Sequence, residues 1–291
     1  MKLIFDGDSW TFGSEIVDPK LAAQYNDDVH PGAYDHLQDN DWYRVPKLYA
    51  HKMAELLDCD YVNLSCPADD NKTILDRTMA YIAGEYISQN LPTDELFVII
   101  GWSSPERNSF WWTELESDEP PYRFRLLPHN GHTLKDRELK LWEMYVEHLW
   151  NPEEYITRHV STVLAFQNFC KAHNIKWLCY NAFYQLPTVL DTRPSSWADL
   201  DMNTQLNNVD LCGYTYSQNG QRCGRKLEFN SLWDTVDPVR FYKKNQQNNT
   251  FKSFMTANLD DPWIGWHPNS DAHSIWAKEL VEYIHSHQLY T

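Results

Sequence analysis

The hydrophobic positions of the chain fall into two patterns, short continuous apolar runs and longer stretches with helical spacing. The continuous runs predict buried strands, because strands of a parallel sheet that is covered on both faces show little polar alternation. The predicted strands are 2–5, 60–65, 95–102 and 176–180. Apolar residues three or four positions apart predict helices between them. The main predicted helices are 42–58, 71–90, 135–149, 152–173 and 270–287, with shorter ones near 196–210 and 238–247.

The alternation of strands and helices predicts the fold class. Strand–helix–strand units with right-handed crossovers build a parallel sheet, so we expect a three-layer α/β/α sandwich with a flavodoxin-like sheet. Two irregular stretches, about 103–150 and 184–262, predict large inserts within a single domain over 1–291. Ligands of such folds bind beyond the carboxyl ends of the strands. The loops after Phe5, Leu64, Ile100 and Tyr180 are therefore the places to search for chemistry.

Charge and composition exclude several classes of partner. The 291 residues include 25 Lys and Arg against 41 Asp and Glu, which gives a formal net charge of −16. Nucleic-acid binding and docking on anionic membranes both need clustered cations, so neither is expected. The N-terminal apolar run is too short for a secretory signal, and no apolar run is long enough to insert into a membrane. These features predict a cytoplasmic protein without an export signal.

Two residues near opposite ends of the chain are candidates for nucleophilic catalysis. Ser9 follows the first predicted strand, in a turn that would present its hydroxyl outward. A serine hydroxyl needs a neighbouring base, and His267, on a loop fixed by Pro268, is a suitable one. Taken singly, each has an ordinary alternative, since Ser9 could cap a helix and His267 could be a surface histidine.

Four short motifs, in order, resemble the blocks of the GDSL/SGNH hydrolase family. They are Gly7-Asp8-Ser9, Asn63-Leu-Ser-Cys-Pro-Ala68, Val98-Ile-Ile-Gly101-Trp-Ser103 and Trp266-His267-Pro-Asn269. The resemblance implies an esterase with Ser9 as nucleophile and His267 as base. It also implies oxyanion donors at Ser9, Ala68 and Ser103, with no cofactor and no metal. The expected substrate is a small molecule or glycan ester, such as an acetylated carbohydrate or a lipid-like ester.

The sequence departs from the family pattern at three positions, where Ala68 replaces a glycine, Ser103 an asparagine and Ile264 an aspartate. The last change removes the acid that orients the histidine, and Asp260 or Asp261 is the expected substitute. A Ser–His dyad or an atypical triad is therefore predicted.

Two residues near the motifs are candidate substrate contacts. Asn71 begins a predicted helix, although Asp70 or Asn71 could also serve as its cap. Arg107 follows the third strand, where it could bind an anionic group or pair with an acidic neighbour. The sequence Gly101-Trp-Ser-Ser-Pro-Glu-Arg107 resembles uncharacterised viral and bacterial members of the family, so a viral location is also considered.

Two alternative functions use other features. The strand that ends in Asp6-Gly-Asp8 also resembles the start of a haloacid-dehalogenase-type phosphatase, in which both carboxylates work with Mg²⁺. A catalytically weak glycan-binding or structural relative is the second alternative. In that case exposed tryptophans such as Trp111, Trp112 or Trp197 would stack on sugar rings.

Overall fold

The computed structural model describes residues 1–23, 38–112, 122–126, 136–145, 152–183, 215–216, 222–223, 229–246 and 248–290. Its strands are β1 (Lys2–Asp6), β2 (Asp60–Asn63), β3 (Leu96–Trp102), β4 (Asn108–Trp112), β5 (Tyr122–Leu126), β6 (Lys176–Asn181), β7 (Thr215–Tyr216), β8 (Arg222–Cys223), β9 (Trp263–Ile264) and β10 (His267–Pro268). Its α-helices are α1 (Ser9–Phe12), α2 (Pro19–Ala22), α3 (Gln38–Arg44), α4 (Tyr49–Leu57), α5 (Asn71–Ile82), α6 (Asp136–Met144), α7 (Pro152–Ala172), α8 (Phe229–Asp234), α9 (Phe251–Asn258) and α10 (Ser270–Ser286).

The four predicted strands form one parallel sheet in the order β2-β1-β3-β6. In the register of this sheet, Phe5 lies between Asn63 of β2 and Ile99 of β3, and Gly101 of β3 pairs with Tyr180 of β6. All four strands run in the same direction, so their carboxyl ends share one edge. The predicted α/β fold class is confirmed.

Helices cover the sheet on both faces. Successive strand residues point to opposite sides, so the apolar strands present hydrophobic side chains on both faces. Leu3 and Phe5 belong to a core cluster formed with α4 and α10, whereas Ile4 belongs to a cluster formed with α5 and α7. Within each cluster the strand residues are almost completely buried. This double burial is the reason that β1 and β3 read as continuous apolar runs in the sequence.

The helix predicted over 42–58 is wrong as a single element. The chain forms α3, a 3-10 turn over Val45–Lys47, and then α4. Pro46 lies in this turn and has no N–H for a helical hydrogen bond, and Leu48 adopts an extended conformation before α4 begins. The helix predicted over 71–90 begins at Asn71, with the Asp70 side chain accepting the Thr73 N–H, and continues beyond α5 as a π-helical turn over Ala83–Ile87.

The two predicted inserts differ from expectation where they are described. The first contains an antiparallel β4–β5 hairpin that was not predicted, followed by α6, which lies within the helix predicted over 135–149. The helix predicted near 238–247 is wrong over 238–246, which form turns with a parallel bridge between Phe241 and Cys179. The helix predicted near 196–210 and Trp197 lie outside the described residues, as do the side chains of Trp111 and Trp112. The single domain over 1–291 stays a prediction.

Within the described ranges, none of the helices combines the length and the apolar character required to cross a bilayer.

Candidate active site

Ser9 lies at the carboxyl edge of the sheet, at the first position of α1. The preceding Asp8 caps this helix by accepting the Trp10 N–H at 3.0 Å. The turn is tight, because a Cβ on Gly7 would lie 2.2 Å from Thr11 Oγ1 and 2.9 Å from the Gly101 carbonyl oxygen. A glycine at this position therefore lets α1 approach β3 closely. The Ser9 side chain is 6% exposed, and its hydroxyl forms no hydrogen bond with the described residues.

Asp8 connects the Ser9 turn to the loop that follows β3. Its Oδ2 atom accepts hydrogen bonds from Ser103 Oγ at 2.7 Å and from Arg107 at 2.9 Å. The Ser103 hydroxyl has one proton, and that proton is donated to Asp8 rather than toward an oxyanion above Ser9. Arg107 likewise pairs with an acidic neighbour, which was the alternative to substrate binding. Both side chains act here as supports of the turn.

Asn71, predicted as a substrate contact, is occupied within the protein. Its side chain accepts the Ser103 N–H at 2.7 Å and donates to the Ser103 carbonyl at 3.0 Å. It also lies 3.0 Å from His159 Nδ1, and His159 Nε2 lies 2.9 Å from Asn181 Oδ1. Burial lowers the pKa of His159 to about 4, so this imidazole is neutral near pH 7. Asn71 therefore holds the backbone of the β3 loop and leaves no group for substrate.

Ala68, the second predicted oxyanion donor, has the backbone conformation that glycine favours. Its φ is 63°, in the left-handed region. The loop that carries it lies beside the Ser9 turn, since the Cys66 N–H donates to the Gly7 carbonyl at 3.3 Å. Among the described residues, the N–H groups of Ser9 and Ala68 have no acceptor. Two backbone donors are thus available at this edge of the sheet, as an oxyanion hole requires.

Asp6 and Asp8, the two carboxylates of the phosphatase alternative, are both buried and saturated by donors. Asp6 accepts from the Gly7 N–H at 2.7 Å, from Thr78 Oγ1 at 2.8 Å and from Arg77, with which it forms an ion pair. Asp8 accepts the three donors described above. A nucleophilic or Mg²⁺-binding carboxylate needs an accessible oxygen. The geometry therefore argues against the phosphatase.

His267 lies beside Ser9's helix and is paired with an acid that the sequence analysis did not identify. The β9–β10 hairpin carries His267, and β10 contacts α1. Trp10, next to Ser9, packs edge-on against Trp263 of β9 with ring centroids 5.6 Å apart. His267 Nδ1 is buried and lies 3.1 Å from Glu15 Oε2, within ion-pair distance, but the two groups are not aligned for a hydrogen bond.

Asp260 and Asp261, the predicted orienting residues, are both exposed. The backbone carbonyl of Asp261 accepts from Asn269 and so stabilises the start of α10. The acid beside His267 is instead Glu15, which lies far away in sequence. It follows α1 in a stretch that belongs to none of the predicted strands and helices, and no local signal separates it from the other acidic residues there. Only the fold brings it to the hairpin.

Comparisons with known proteins give one match at the level of family. A family model described as a family of unknown function (DUF6071) matches residues 34–220. No curated protein matches the chain in sequence.

Solved structures with similar folds include three esterases. An acetyl xylan esterase (Est2A) from the rumen bacterium Butyrivibrio proteoclasticus is 13% identical, with a TM-score of 0.46 over 100% of this chain and 65% of that one. A carbohydrate esterase family 2 enzyme from Corynascus thermopiles (Myceliophthora fergusii) is 12% identical, with a TM-score of 0.45 over 99% and 66%. The esterase EstA from Pseudoalteromonas sp. is 12% identical, with a TM-score of 0.42 over 98% and 97%. This chain thus spans about two thirds of the first two proteins. With TM-scores below 0.5, the function has to be argued from the residues of this chain.

Proposed function

This chain belongs to the DUF6071 family, and from the geometry of its own site we propose that it is a serine hydrolase that cleaves carboxylic esters. The observation that carries the proposal is that α1, which begins at Ser9, contacts β10, which contains His267. The loop that carries Ala68 is hydrogen-bonded to the turn before Ser9, and this contact supports a shared role for the N–H groups of Ser9 and Ala68. A nucleophile, a base and an oxyanion hole are the parts that acyl transfer needs.

The proposed reaction proceeds through an acyl-enzyme. Ser9 Oγ attacks the ester carbonyl carbon while His267 Nε2 takes the hydroxyl proton. The N–H groups of Ser9 and Ala68 bind the resulting oxyanion. Collapse breaks the carbon–oxygen bond to the alcohol, which leaves with the proton from His267. Water then attacks the acyl carbon and gives a proton to His267, which returns it to Ser9 Oγ as the carbon–oxygen bond to Ser9 breaks and the carboxylic acid leaves.

Labelling by a fluorophosphonate tests the proposed nucleophile. We expect the wild-type protein to take one label, which peptide mapping assigns to Ser9, because an activated serine reacts with such phosphorus electrophiles. Ser9→Ala should take none. Ser161→Ala is the matched control, since this exposed hydroxyl on α7 donates only to the Thr157 carbonyl. A wild-type protein that stays unlabelled, or a label on another serine, would refute the proposal.

For the substrate we propose an ester of a carbohydrate, because an exposed aromatic ring adjoins the base. Trp266 lies in the turn of the β9–β10 hairpin and is 80% exposed, although its backbone N–H is held by Glu15 at 2.8 Å. An indole that faces solvent from an anchored backbone offers a flat apolar surface on which a sugar ring can stack.

Truncation of this indole tests the substrate class. Trp266→Ala should raise KM for an acetylated xylo-oligosaccharide by about 5–50-fold, on the scale of one lost aromatic contact. The KM for ethyl acetate, which has no ring, should remain within twofold or so of the wild-type value if only stacking is lost. Steady-state kinetics with the two substrates measures both effects. Equal changes for both substrates would contradict stacking.

A further inference from the structure

We propose that Glu15 is the positioning acid of the site and completes a Ser9–His267–Glu15 triad. The inference rests on the proposed function. It replaces the aspartate that the sequence lacks at Ile264 with a carboxylate supplied by the segment after the nucleophile helix. The triad would then be drawn from the start and the end of the chain, with two of its three members within seven positions of each other.

The contacts of Glu15 concentrate on the hairpin of His267. Its Oε2 atom accepts the Trp266 N–H at 2.8 Å and lies 3.1 Å from His267 Nδ1. A carboxylate at Nδ1 stabilises the tautomer with its proton on Nδ1, and that tautomer leaves Nε2 as the atom that accepts a proton from Ser9. Glu15 is 2% exposed, so water screens the interaction little.

The backbone around this contact is adapted to it on both sides. Glu15 itself has a φ of 68°, an unusual conformation for a residue with a Cβ. Gly265, with a φ of 56°, begins the hairpin turn, and a Cβ there would lie 2.3 Å from Glu15 Oε2. Glu15 therefore has a restricted backbone conformation, and residue 265 has to lack a side chain, at the point where the carboxylate contacts the hairpin. Such local strain persists where the surrounding structure requires it, often at active sites.

Glu15→Gln separates the charge of Glu15 from its shape. The amide oxygen can still accept the Trp266 N–H, so the hairpin should keep its position while His267 loses the carboxylate. We expect kcat to fall by up to about 10⁴-fold, because a neutral amide does not stabilise the imidazolium that forms when His267 takes the proton of Ser9. The KM should change little, because Glu15 touches no substrate. Glu15→Ala, which also removes the hairpin contact, should lower the thermal stability as well.

Two further measurements separate positioning from a merely structural role. Nitrogen NMR of the His267 ring should show the proton on Nδ1 in the wild-type protein and a shift toward Nε2 in Glu15→Ala, which leaves no side-chain acceptor of residue 15 at Nδ1. The second is a rescue. Ile264 pairs directly with His267 across the hairpin, so Ile264→Asp places a carboxylate beside the ring. Adding it to Glu15→Gln should recover at least about tenfold in kcat if the lost function is orientation of the imidazole.

The outcomes distinguish this inference from the proposed function. If Glu15→Gln turns over like wild type while Ser9→Ala is inactive, the hydrolase proposal stands and the role of Glu15 is refuted. If the wild-type protein takes no fluorophosphonate label, the hydrolase proposal fails. In that case the tautomer of His267 tests the inference by itself. A ring that is unchanged in Glu15→Ala overturns the pairing, and a shift of the proton toward Nε2 supports it.

Discussion

Ser9→Ala and His267→Ala are each expected to lower kcat for p-nitrophenyl acetate by about 10⁴–10⁶-fold, the range found when a serine hydrolase loses its nucleophile or its base. The reason is that, in the proposed mechanism, neither residue can perform its step without the other. A serine hydroxyl without its base is a poor nucleophile, and a base without the hydroxyl has no proton to take. The residual rate should come from the two N–H donors and from substrate binding.

The double variant is the decisive measurement, because it asks whether the two residues act as one unit. Ser9→Ala combined with His267→Ala should be about as slow as either single variant, instead of showing the product of the two losses. Ser161→Ala and His285→Ala, both at exposed positions, serve as controls and should retain wild-type kcat. Fully multiplicative losses would mean that the two residues work independently, which would contradict the proposed mechanism.

The strands could be predicted from the sequence because buried strands appear in it as continuous apolar runs, and the carboxyl edge of the sheet, where the candidate site lies, follows from them. The continuous apolar run of β3 reflects a central strand that is covered on both faces, and β1 has the same apolar pattern for the same reason. The carboxyl edge then follows from the parallel direction alone. Ser9 and His267 could both be assigned to that edge without coordinates, because short motifs mark them.

Other features were missed because their causes are not periodic. Pro46 divides the helix predicted over 42–58, although the apolar spacing runs past it without interruption. Hydrophobic spacing shows which face of a helix is buried. It does not show where a proline removes the N–H of a helical hydrogen bond. The turns over 238–246 were mistaken for a helix, whereas Phe241 bridges to Cys179 beside β6. There a tertiary contact overrides the local pattern.

The partners of the polar site residues could not be predicted, because a polar side chain can pair with any group that the fold brings near. Ser103, Asn71 and Arg107 were all considered for contact with the reaction or the substrate, and all three form hydrogen bonds within the protein. Glu15 was overlooked for the same reason, since the distance of 3.1 Å to His267 joins residues from opposite ends of the chain.

Arg77→Met is expected to lower the free energy of unfolding by about 3–5 kcal/mol, because it leaves a buried carboxylate without its counter-ion. Asp6 is fully buried and pairs with Arg77, which also pairs with Asp69. Burial lowers the pKa of Arg77, but its hydrogen bonds to the two carboxylates and their charges outweigh that effect and raise it. Methionine keeps much of the side-chain length and removes the charge. Urea denaturation, followed by tryptophan fluorescence, measures the loss.

A second ion pair on the same helix provides the control. Lys72 and Asp76 are paired on the exposed side of α5, so Lys72→Met should cost less than about 1 kcal/mol. If the two variants are equally stable, the buried network does not have the role argued for it.

Arg77 should matter for turnover as well as for stability. It donates to the Gly7 carbonyl at 3.2 Å, in the turn before Ser9, and it pairs with Asp69, the residue after Ala68. The same guanidinium therefore contacts the two turns that carry the N–H donors of the proposed oxyanion hole. In Arg77→Met, measured well below its unfolding transition, kcat should fall by about 10²-fold or more, comparable to the loss of one oxyanion donor. Lys72→Met should keep its full kcat, and a stable Arg77→Met protein with wild-type kcat would show that the turns hold their geometry without this ion pair.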